Sequence, residues 1–263
     1  MRRYRKPKKI KRKKPIFKRP FFKFFVYLLF LSGFVFYFMF LFPYFQITKI
    51  EISGGERISV DKIKELIFQK INNKFVFFNS KNIFTFSAKR LEEEILKTEP
   101  IISDIKIKRN FPNVLAVDLI ERTAVSTFCQ NEICFYLDKE GIAFMEDIKE
   151  KHPPLIRIEN FLRQIKIGDV VIEKYLLKKI LDINNNLEKK LNIETKEFVL
   201  SNENRKLTVM TNDGFKVIFN LEKDVFEKIY QLDLVLKEKI PSDKRKNLDY
   251  IDLRFNKIYF KYK

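Results

Sequence analysis

The chain has 263 residues, and its 53 lysines and arginines against 34 aspartates and glutamates give a net charge of +19. It has one histidine and two cysteines, too few for a zinc cluster of cysteine and histidine ligands. The sequence also lacks a Walker loop, a G-x-S-x-G elbow and a G-x-G-x-x-G fingerprint. These features argue against an enzyme, and we expect no cofactor, no metal and no small-molecule substrate.

The positive charge is concentrated in residues 1–23, which hold thirteen lysines and arginines and no acidic residue. The uncharged segment 24–42 follows, and a helix of that length crosses a bilayer at about 1.5 Å per residue. Its exit, Pro43-Tyr44-Phe45-Gln46, lacks the small residues of a signal-peptide cleavage site. We therefore predict a basic cytoplasmic tail, one uncleaved transmembrane helix and an extracytoplasmic remainder, the topology of a type II inner-membrane protein.

Two partners suit such a tail. Lysine and arginine runs bind nucleic-acid phosphates, and they also attract anionic lipid headgroups. Because the tail lies directly beside the predicted span, we expect it to act as a topology signal and to contact membrane lipid rather than nucleic acid.

Residues 46–122 predict a small α+β domain in the order strand–helix–helix–strand–strand. Apolar residues alternate in the strands and recur at helical spacing in the helices, with Ser59 and Ser87 placed to cap the helices. Pro100 ends the second helix. The predicted elements are 47–52, 60–71, 88–97, 103–108 and 114–121.

Residues 123–263 predict a mostly antiparallel β domain with flanking helices. Short strands alternate with turn signals, among which Asp213-Gly214 is a strong hairpin signal. Two segments, 173–187 and 224–239, have helical apolar spacing. The strands are predicted at 124–129, 133–137, 142–145, 197–200, 206–210, 215–219, 248–255 and 258–260.

Cys129 and Cys134 stand on either side of a predicted turn at Gln130–Glu132. Cross-strand cysteines come close enough for a disulfide, which an extracytoplasmic compartment permits. Two buried free thiols explain the pattern equally well. A C-x4-C pair without further ligands is a poor zinc site. The one histidine, His152, lies beside two prolines, and a loop residue explains it better than a catalytic one.

Two motifs of the C-terminal half stand out, Leu137-Asp138 with Gly141 and Tyr250–Phe255. They resemble the "L-I-D-x-x-G" hairpin and the "v-D-L-R-y" strand of the FtsQ/DivIB bacterial cell-division proteins, and the first domain also matches that family. Thr123 and Asn220 depart from the pattern, where the family often has proline and glycine. The matching positions of the first domain are Pro100, Ile107, Arg109, Pro112, Leu115, Val117, Glu121 and Arg122.

The resemblance implies that residues 46–122 are a POTRA domain and that the chain is a non-enzymatic scaffold at the division septum. It implies partners of the FtsB and FtsL type, which would add a β-strand to an exposed sheet edge near the C-terminus. The residues implied in that contact are Arg254, Phe255, Lys257 and Tyr259. A purely structural role is the alternative, because Asp252 and Arg254 can pair with each other and Tyr259 can belong to the core.

Two other functions stay open from the sequence. POTRA domains also occur in secretion and outer-membrane assembly proteins, although those end in a long β-barrel that this sequence lacks. A membrane-tethered nucleic-acid binder would rest on the basic tail alone, and salt-dependent DNA binding by the tail would reveal it.

Overall fold

The computed structural model describes residues 20–40, 42–71, 74–75, 78–79, 81–146, 154–159, 161–201 and 205–263. Most of the predicted cytoplasmic tail and His152 lie outside these residues. The chain forms two compact units. The anchor unit comprises the residues up to Ser53 with Ser59–Glu92 and Lys106–Asp118, and the sheet unit comprises Gly54–Ile58, Glu93–Ile105 and Leu119–Lys263.

The described residues form five α-helices and fourteen strands. The helices are α1 Pro20–Phe40, α2 Val60–Ile71, α3 Ala88–Thr98, α4 Lys174–Leu191 and α5 Val225–Glu238. The strands are β1 Lys49–Ser53, β2 Lys74–Phe75, β3 Phe78–Asn79, β4 Ile102–Asn110, β5 Val114–Glu121, β6 Ser126–Gln130, β7 Ile133–Leu137, β8 Ala143–Glu146, β9 Leu155–Ile158, β10 Thr195–Leu200, β11 Lys206–Thr211, β12 Lys216–Asn220, β13 Leu248–Asp252 and β14 Tyr259–Tyr262. Short 3-10 helices cover Pro43–Phe45 and Ser242–Asn247.

Helix α1 is long and apolar enough to cross a membrane, and none of its side chains is buried by the rest of the protein. It begins four residues before the predicted span and ends two residues before its predicted end. Pro20 suits a first helical turn, where its missing N–H is not needed. Phe42 is extended, at φ −70° and ψ 129°, because the proline that follows it disfavours a helical conformation.

Strands β1, β5 and β4 form a three-stranded sheet in that order, and β1 pairs with β5 in parallel. The predicted order of strands and helices is confirmed. The sequence of Val114–Ile120 is apolar except at Asp118, which is typical of a strand buried on both faces. This interpretation is wrong, because only Leu115, Val117 and Leu119 on one face are buried, whereas Ile120 is 60% exposed.

Helices α2 and α3 each bury one apolar stripe, as predicted from their spacing. The buried residues are Ile63, Ile67, Ile71, Leu91 and Ile95. The helical spacing places Glu92 on the polar side of α3, where exposure is expected, but the residue is half-buried. Its carboxylate accepts a hydrogen bond of 2.6 Å from the backbone N–H of Ile107.

The sheet unit contains a nine-stranded sheet in the order β14-β13-β12-β11-β10-β9-β6-β7-β8. Three neighbouring pairs are parallel, β6–β9, β9–β10 and β12–β13, and the other five are antiparallel. Helices α4 and α5 pack against each other and against the sheet over one large apolar core. These features confirm the predicted α+β class with a mostly antiparallel sheet.

Two hairpins follow their turn signals. Strands β11 and β12 are joined through Asp213-Gly214, where the N–H of Gly214 donates to the Thr211 carbonyl and Gly214 has φ +88°. Strands β6 and β7 place Cys129 opposite Cys134, with 4.1 Å between their Cα atoms, and a disulfide joins the two side chains.

The two long helices of the sheet unit differ at their beginnings. Asp224 is the N-cap of α5, and its carboxylate accepts from the N–H groups of Phe226 at 2.8 Å and Glu227 at 3.3 Å. The Glu173 side chain makes no such capping bond at α4. Tyr175 fits the helical apolar spacing that predicts this helix, but it is 60% exposed.

We expect Asp224→Ala to lower the free energy of unfolding by about 1 kcal/mol, because the variant leaves two N–H groups of the first turn without their acceptor. Urea unfolding of the detergent-solubilised chain, followed by circular dichroism, measures this change. Asp233→Ala is the control, since it removes only an exposed pair with Lys237, worth about 0.5 kcal/mol. Equal losses in the two variants would contradict the capping role.

The carboxylate of Glu121 holds the loop at Gly54–Ile58. It accepts from the N–H groups of Arg57 at 2.9 Å and Ile58 at 2.8 Å. Gly54 has φ +79°, and a Cβ there would overlap the Leu119 carbonyl, so the loop requires glycine. Burial raises the pKa of Glu121, but the backbone N–H groups outweigh burial and hold the pKa below its ordinary value of 4.5.

Because the pKa of Glu121 is lower in the folded state, its stabilising effect is complete above about pH 4.5 and is lost as the pH falls through the lowered value. We therefore expect Glu121→Gln to make the free energy of unfolding less dependent on pH below 4.5. Urea unfolding at a series of pH values measures the slope. Identical slopes for the variant and the natural chain would refute this role.

Candidate functional site

The nine-stranded sheet has two outer edges, β8 and β14, and the start of the β8 edge is covered by the chain itself. The N–H of Ala143 donates to the Asp169 carbonyl at 2.9 Å, and the Gly168 N–H donates to the Ala143 carbonyl at 2.7 Å. Ile142 and Val170 form a further β-bridge. The outward backbone groups of Ala143 are therefore already paired, which shortens the part of this edge that another strand could use.

The other edge, β14, presents an exposed aromatic and basic strand. All four of its residues are exposed, and Tyr259 has the largest exposed fraction of its aromatic residues, 52%. The strand pairs with β13 on its inner side, where Asp252 lies opposite Tyr259 and Ile251 lies opposite Phe260. We call β14 together with the turn Leu253–Ile258 the C-terminal edge.

The pairing pattern indicates which backbone groups of β14 face outward. Lys263 donates its N–H to the Asn247 carbonyl at 2.8 Å, so its backbone faces β13. The N–H of Leu253 donates to the carbonyl of Ile218 in β12, on the other side of β13, and this fits the same alternation. Because successive residues of a strand direct their backbone groups to opposite sides, the N–H and C=O groups of Phe260 and Tyr262 face away from the sheet.

Arg254 is held in the turn by the buried carboxylate of Asp252. Its Nε lies 3.0 Å from Asp252 Oδ1 and its terminal nitrogen 2.7 Å from Oδ2, and its backbone N–H donates to the same carboxylate at 3.0 Å. The hydrogen bond to Asp252 is the main cause that raises the pKa of Arg254 further. The pairing that the sequence offered as the structural alternative is therefore present.

Rings and a buried amine shape the rest of the turn. The Arg254 guanidinium lies 5.3 Å from the centre of the Phe255 ring, and that ring meets the Tyr259 ring edge-on at 5.9 Å. Lys228 of α5 is 5% exposed, and its Nζ donates to the Phe255 carbonyl at 2.8 Å and to Gln231 at 2.9 Å. The contacts of Lys228 and Asp252 thus hold the turn in place, while the rings of Phe255 and Tyr259 stay exposed.

The four residues proposed from the resemblance therefore lie together in the C-terminal edge. Tyr259 is in β14, whereas Arg254, Phe255 and Lys257 are in the turn, because β13 ends at Asp252 and not at Phe255. Sequence reasoning missed Phe260, Lys261 and Tyr262. Their signal was the run of four large side chains at 259–262, which does not alternate between polar and apolar as a half-buried strand does.

Two residues quoted for the family resemblance have structural roles instead. The Arg122 guanidinium forms an ion pair with Asp138 and donates from Nε to the Pro100 carbonyl at 2.8 Å. Asp138 also accepts from the N–H groups of Glu140 at 3.0 Å and Ile142 at 2.9 Å. The motif therefore marks a buried polar network that fixes the β7–β8 turn.

The open face of the sheet carries a shallow depression of about 400 Å³. Its lining mixes apolar side chains with lysines and acidic residues: Glu159, Val199, Lys206, Thr208, Met210, Lys216, Ile218, Asp249 and Tyr250.

Within the described residues, no group of three or more His, Cys, Asp and Glu side chains could hold a metal ion.

Two family models match the chain and together cover most of it. Residues 45–122 match "POTRA domain, FtsQ-type", and residues 129–254 match "Cell division protein FtsQ/DivIB, C-terminal". The second match ends at Arg254, so Phe255, Lys257 and Tyr259 lie beyond it.

Curated relatives carry the name "Cell division protein DivIB". One from Clostridium botulinum is 28% identical over 133 residues, which are 50% of this chain and 48% of the relative. One from Clostridium acetobutylicum is 24% identical over 82% of this chain and 83% of the relative. One from Staphylococcus aureus is 23% identical over 84% of this chain and 47% of the relative. The chain thus spans about half the length of the first and last of these relatives. With both family models matched in order, the chain belongs to the FtsQ/DivIB family of cell division proteins.

Proposed function

We propose that this chain is a non-enzymatic scaffold of the cell division machinery that binds a partner strand along β14. The partner is a division protein of the FtsB or FtsL type, and its strand extends the nine-stranded sheet through main-chain hydrogen bonds. One observation carries the proposal: the chain covers the start of the β8 edge with its own backbone, and it ends the sheet at β14 with exposed aromatic side chains.

The chemistry of the C-terminal edge indicates what the partner strand contains. Lys257, Lys261 and Lys263 are exposed along it, whereas the nearby carboxylate of Asp252 is taken up by Arg254. The exposed rings of Phe255 and Tyr259 offer apolar area of the kind that is concentrated at protein interfaces. An acidic strand with apolar side chains on one face would complement both features.

The anchor and the disulfide support the proposed topology. The apolar helix α1 holds the chain in the inner membrane, with the basic tail in the cytoplasm. The Cys129–Cys134 disulfide favours an oxidising compartment for the sheet unit, as expected outside the cytoplasm. In this arrangement the C-terminal edge meets the extracytoplasmic parts of membrane-bound division proteins at the septum.

We expect Phe260→Pro to weaken binding of an FtsB-type extracytoplasmic segment by about 1 kcal/mol or more, roughly fivefold in Kd. Proline removes an outward N–H of β14, and such a position of an edge strand tolerates proline because that N–H makes no bond within the sheet. Isothermal titration of the full chain in detergent measures the affinity.

Phe260→Ala is the matched control, because it removes the same ring but keeps the N–H. The proposal requires the proline variant to bind more weakly than the alanine variant while both unfold at the same urea concentration. Equal affinities would show that main-chain pairing contributes nothing. Charge reversal at Arg254 is a poorer test, since it also breaks the buried pair with Asp252.

We also expect the double variant Lys257→Glu and Lys261→Glu to weaken the same complex and to reduce its salt dependence. Each exposed charge contributes about 1 kcal/mol or less, mainly through the association rate. Surface plasmon resonance at several salt concentrations measures the rate. The control is the double variant Lys178→Glu and Lys189→Glu, which changes two exposed lysines of α4 and has the same net charge as the test variant. An equal effect of the control would attribute the change to net charge alone.

A further inference from the structure

The end of α1 is capped by a side chain of the folded part of the anchor unit. The amide nitrogen of Asn82 donates to the carbonyls of Met39 at 2.8 Å and Phe40 at 3.2 Å, two of the carbonyls that a helix end leaves without partners. Asn82 is fully buried, and its amide oxygen accepts from the N–H of Phe84 at 2.8 Å. One side chain thus joins the last turn of the membrane helix to the segment that carries Phe84.

Backbone pairing joins the same two segments. The N–H of Ile83 donates to the Phe45 carbonyl at 3.0 Å, and the N–H of Ile47 donates to the Lys81 carbonyl at 2.9 Å. A β-bridge between Gln46 and Asn82 lies between these bonds. The position of residues 81–84 relative to the end of α1 is therefore set by main-chain hydrogen bonds.

A series of ring contacts continues from α1 into the fold. The Phe84 ring lies 6.5 Å from that of Phe40, 5.3 Å from that of Phe45 and 5.3 Å from that of Phe111. Phe111 stands in the turn between β4 and β5 and is 60% exposed, and Tyr44 beside Phe45 is 57% exposed. We call Tyr44, Phe45, Phe84 and Phe111 the aromatic collar.

We propose that the aromatic collar inserts into the interfacial layer of the lipid bilayer, so that the turn at Phe111 is a second point of membrane contact beside α1. Exposure of the Phe111 ring at the tip of a turn is costly in water. This ring contacts the Phe84 ring, which in turn contacts the ring of Phe40 at the end of α1. If α1 spans the bilayer, this ring lies at the depth where aromatic residues settle.

Charge near the aromatic collar also fits a lipid surface. Lys81 is exposed in the segment that carries Phe84, and its Nζ lies 5.1 Å from the centre of the Phe68 ring. A lysine beside inserted rings can meet lipid phosphate groups. Two contacts, α1 and Phe111, would prevent the anchor unit from rotating freely about its helix. The proposal needs α1 in a membrane, but it does not depend on partner binding at β14.

The chain contains no tryptophan, so a single Phe111→Trp variant carries one indole reporter. We would reconstitute the full chain in vesicles of phosphatidylcholine and phosphatidylglycerol, with and without lipids brominated near the carboxyl end of the acyl chain. We expect a blue-shifted indole emission from this variant in plain vesicles and loss of most of that emission in brominated ones. Emission like that of a water-exposed indole, unchanged by bromine, would overturn the proposal.

Two further tryptophan variants serve as the negative and the positive control. Phe226→Trp places the indole on α5 at a residue that is 58% exposed and outside the aromatic collar, and we expect no quenching there. Tyr44→Trp reports the end of α1, and we expect it to be quenched. Quenching of Tyr44→Trp without quenching of Phe111→Trp would refute membrane contact at the turn. Equal quenching of Phe226→Trp would refute it as well, because the contact would then not be specific to the aromatic collar.

Discussion

Backbone hydrogen bonding across the nine-stranded sheet is the constraint on which the sheet unit depends. Each strand is stabilised only where its N–H and C=O groups find partners, and a sheet that does not close leaves two edges. The chain covers the start of one edge, at β8, with the backbone of residues 168–170. The other edge, β14, carries exposed aromatic side chains, and this difference supports the proposed binding at β14.

Charges beneath the C-terminal edge hold the turn in shape. Asp252 and Lys228 are both nearly buried, and burial of a charge is costly unless it is paired and hydrogen-bonded. Asp252 therefore takes the guanidinium of Arg254, and Lys228 takes the Phe255 carbonyl. Of the four residues implied by the family resemblance, Lys257 and the rings of Phe255 and Tyr259 remain exposed for a partner. The residue with the closest motif resemblance, Arg254, thus contributes to the shape of the site more than to its surface.

The end of α1 also has backbone groups that need hydrogen-bond partners from outside their own element. The last carbonyls of α1 have no partner within the helix, and the boundary of a bilayer is a poor place to leave them. Asn82, forty-two residues beyond Phe40, supplies the donors. Nothing in the local sequence around Asn82 signals this role, because the contact exists only once the chain has folded back onto the end of α1.

The sequence by itself determined the apolar span, the α+β class, most helices and strands, and the hairpin at Asp213-Gly214, because these follow from local periodicity, caps and turn residues. Through the family resemblance it also led to the proposal of a binding site near the C-terminus. Only the tertiary structure decided which backbone groups at the two sheet edges are already paired, that Arg254 is bound to Asp252, and that the last strand extends through Lys261 and Tyr262. Those features depend on pairing between residues far apart in the chain, and local periodicity carries no record of which distant backbone groups will meet.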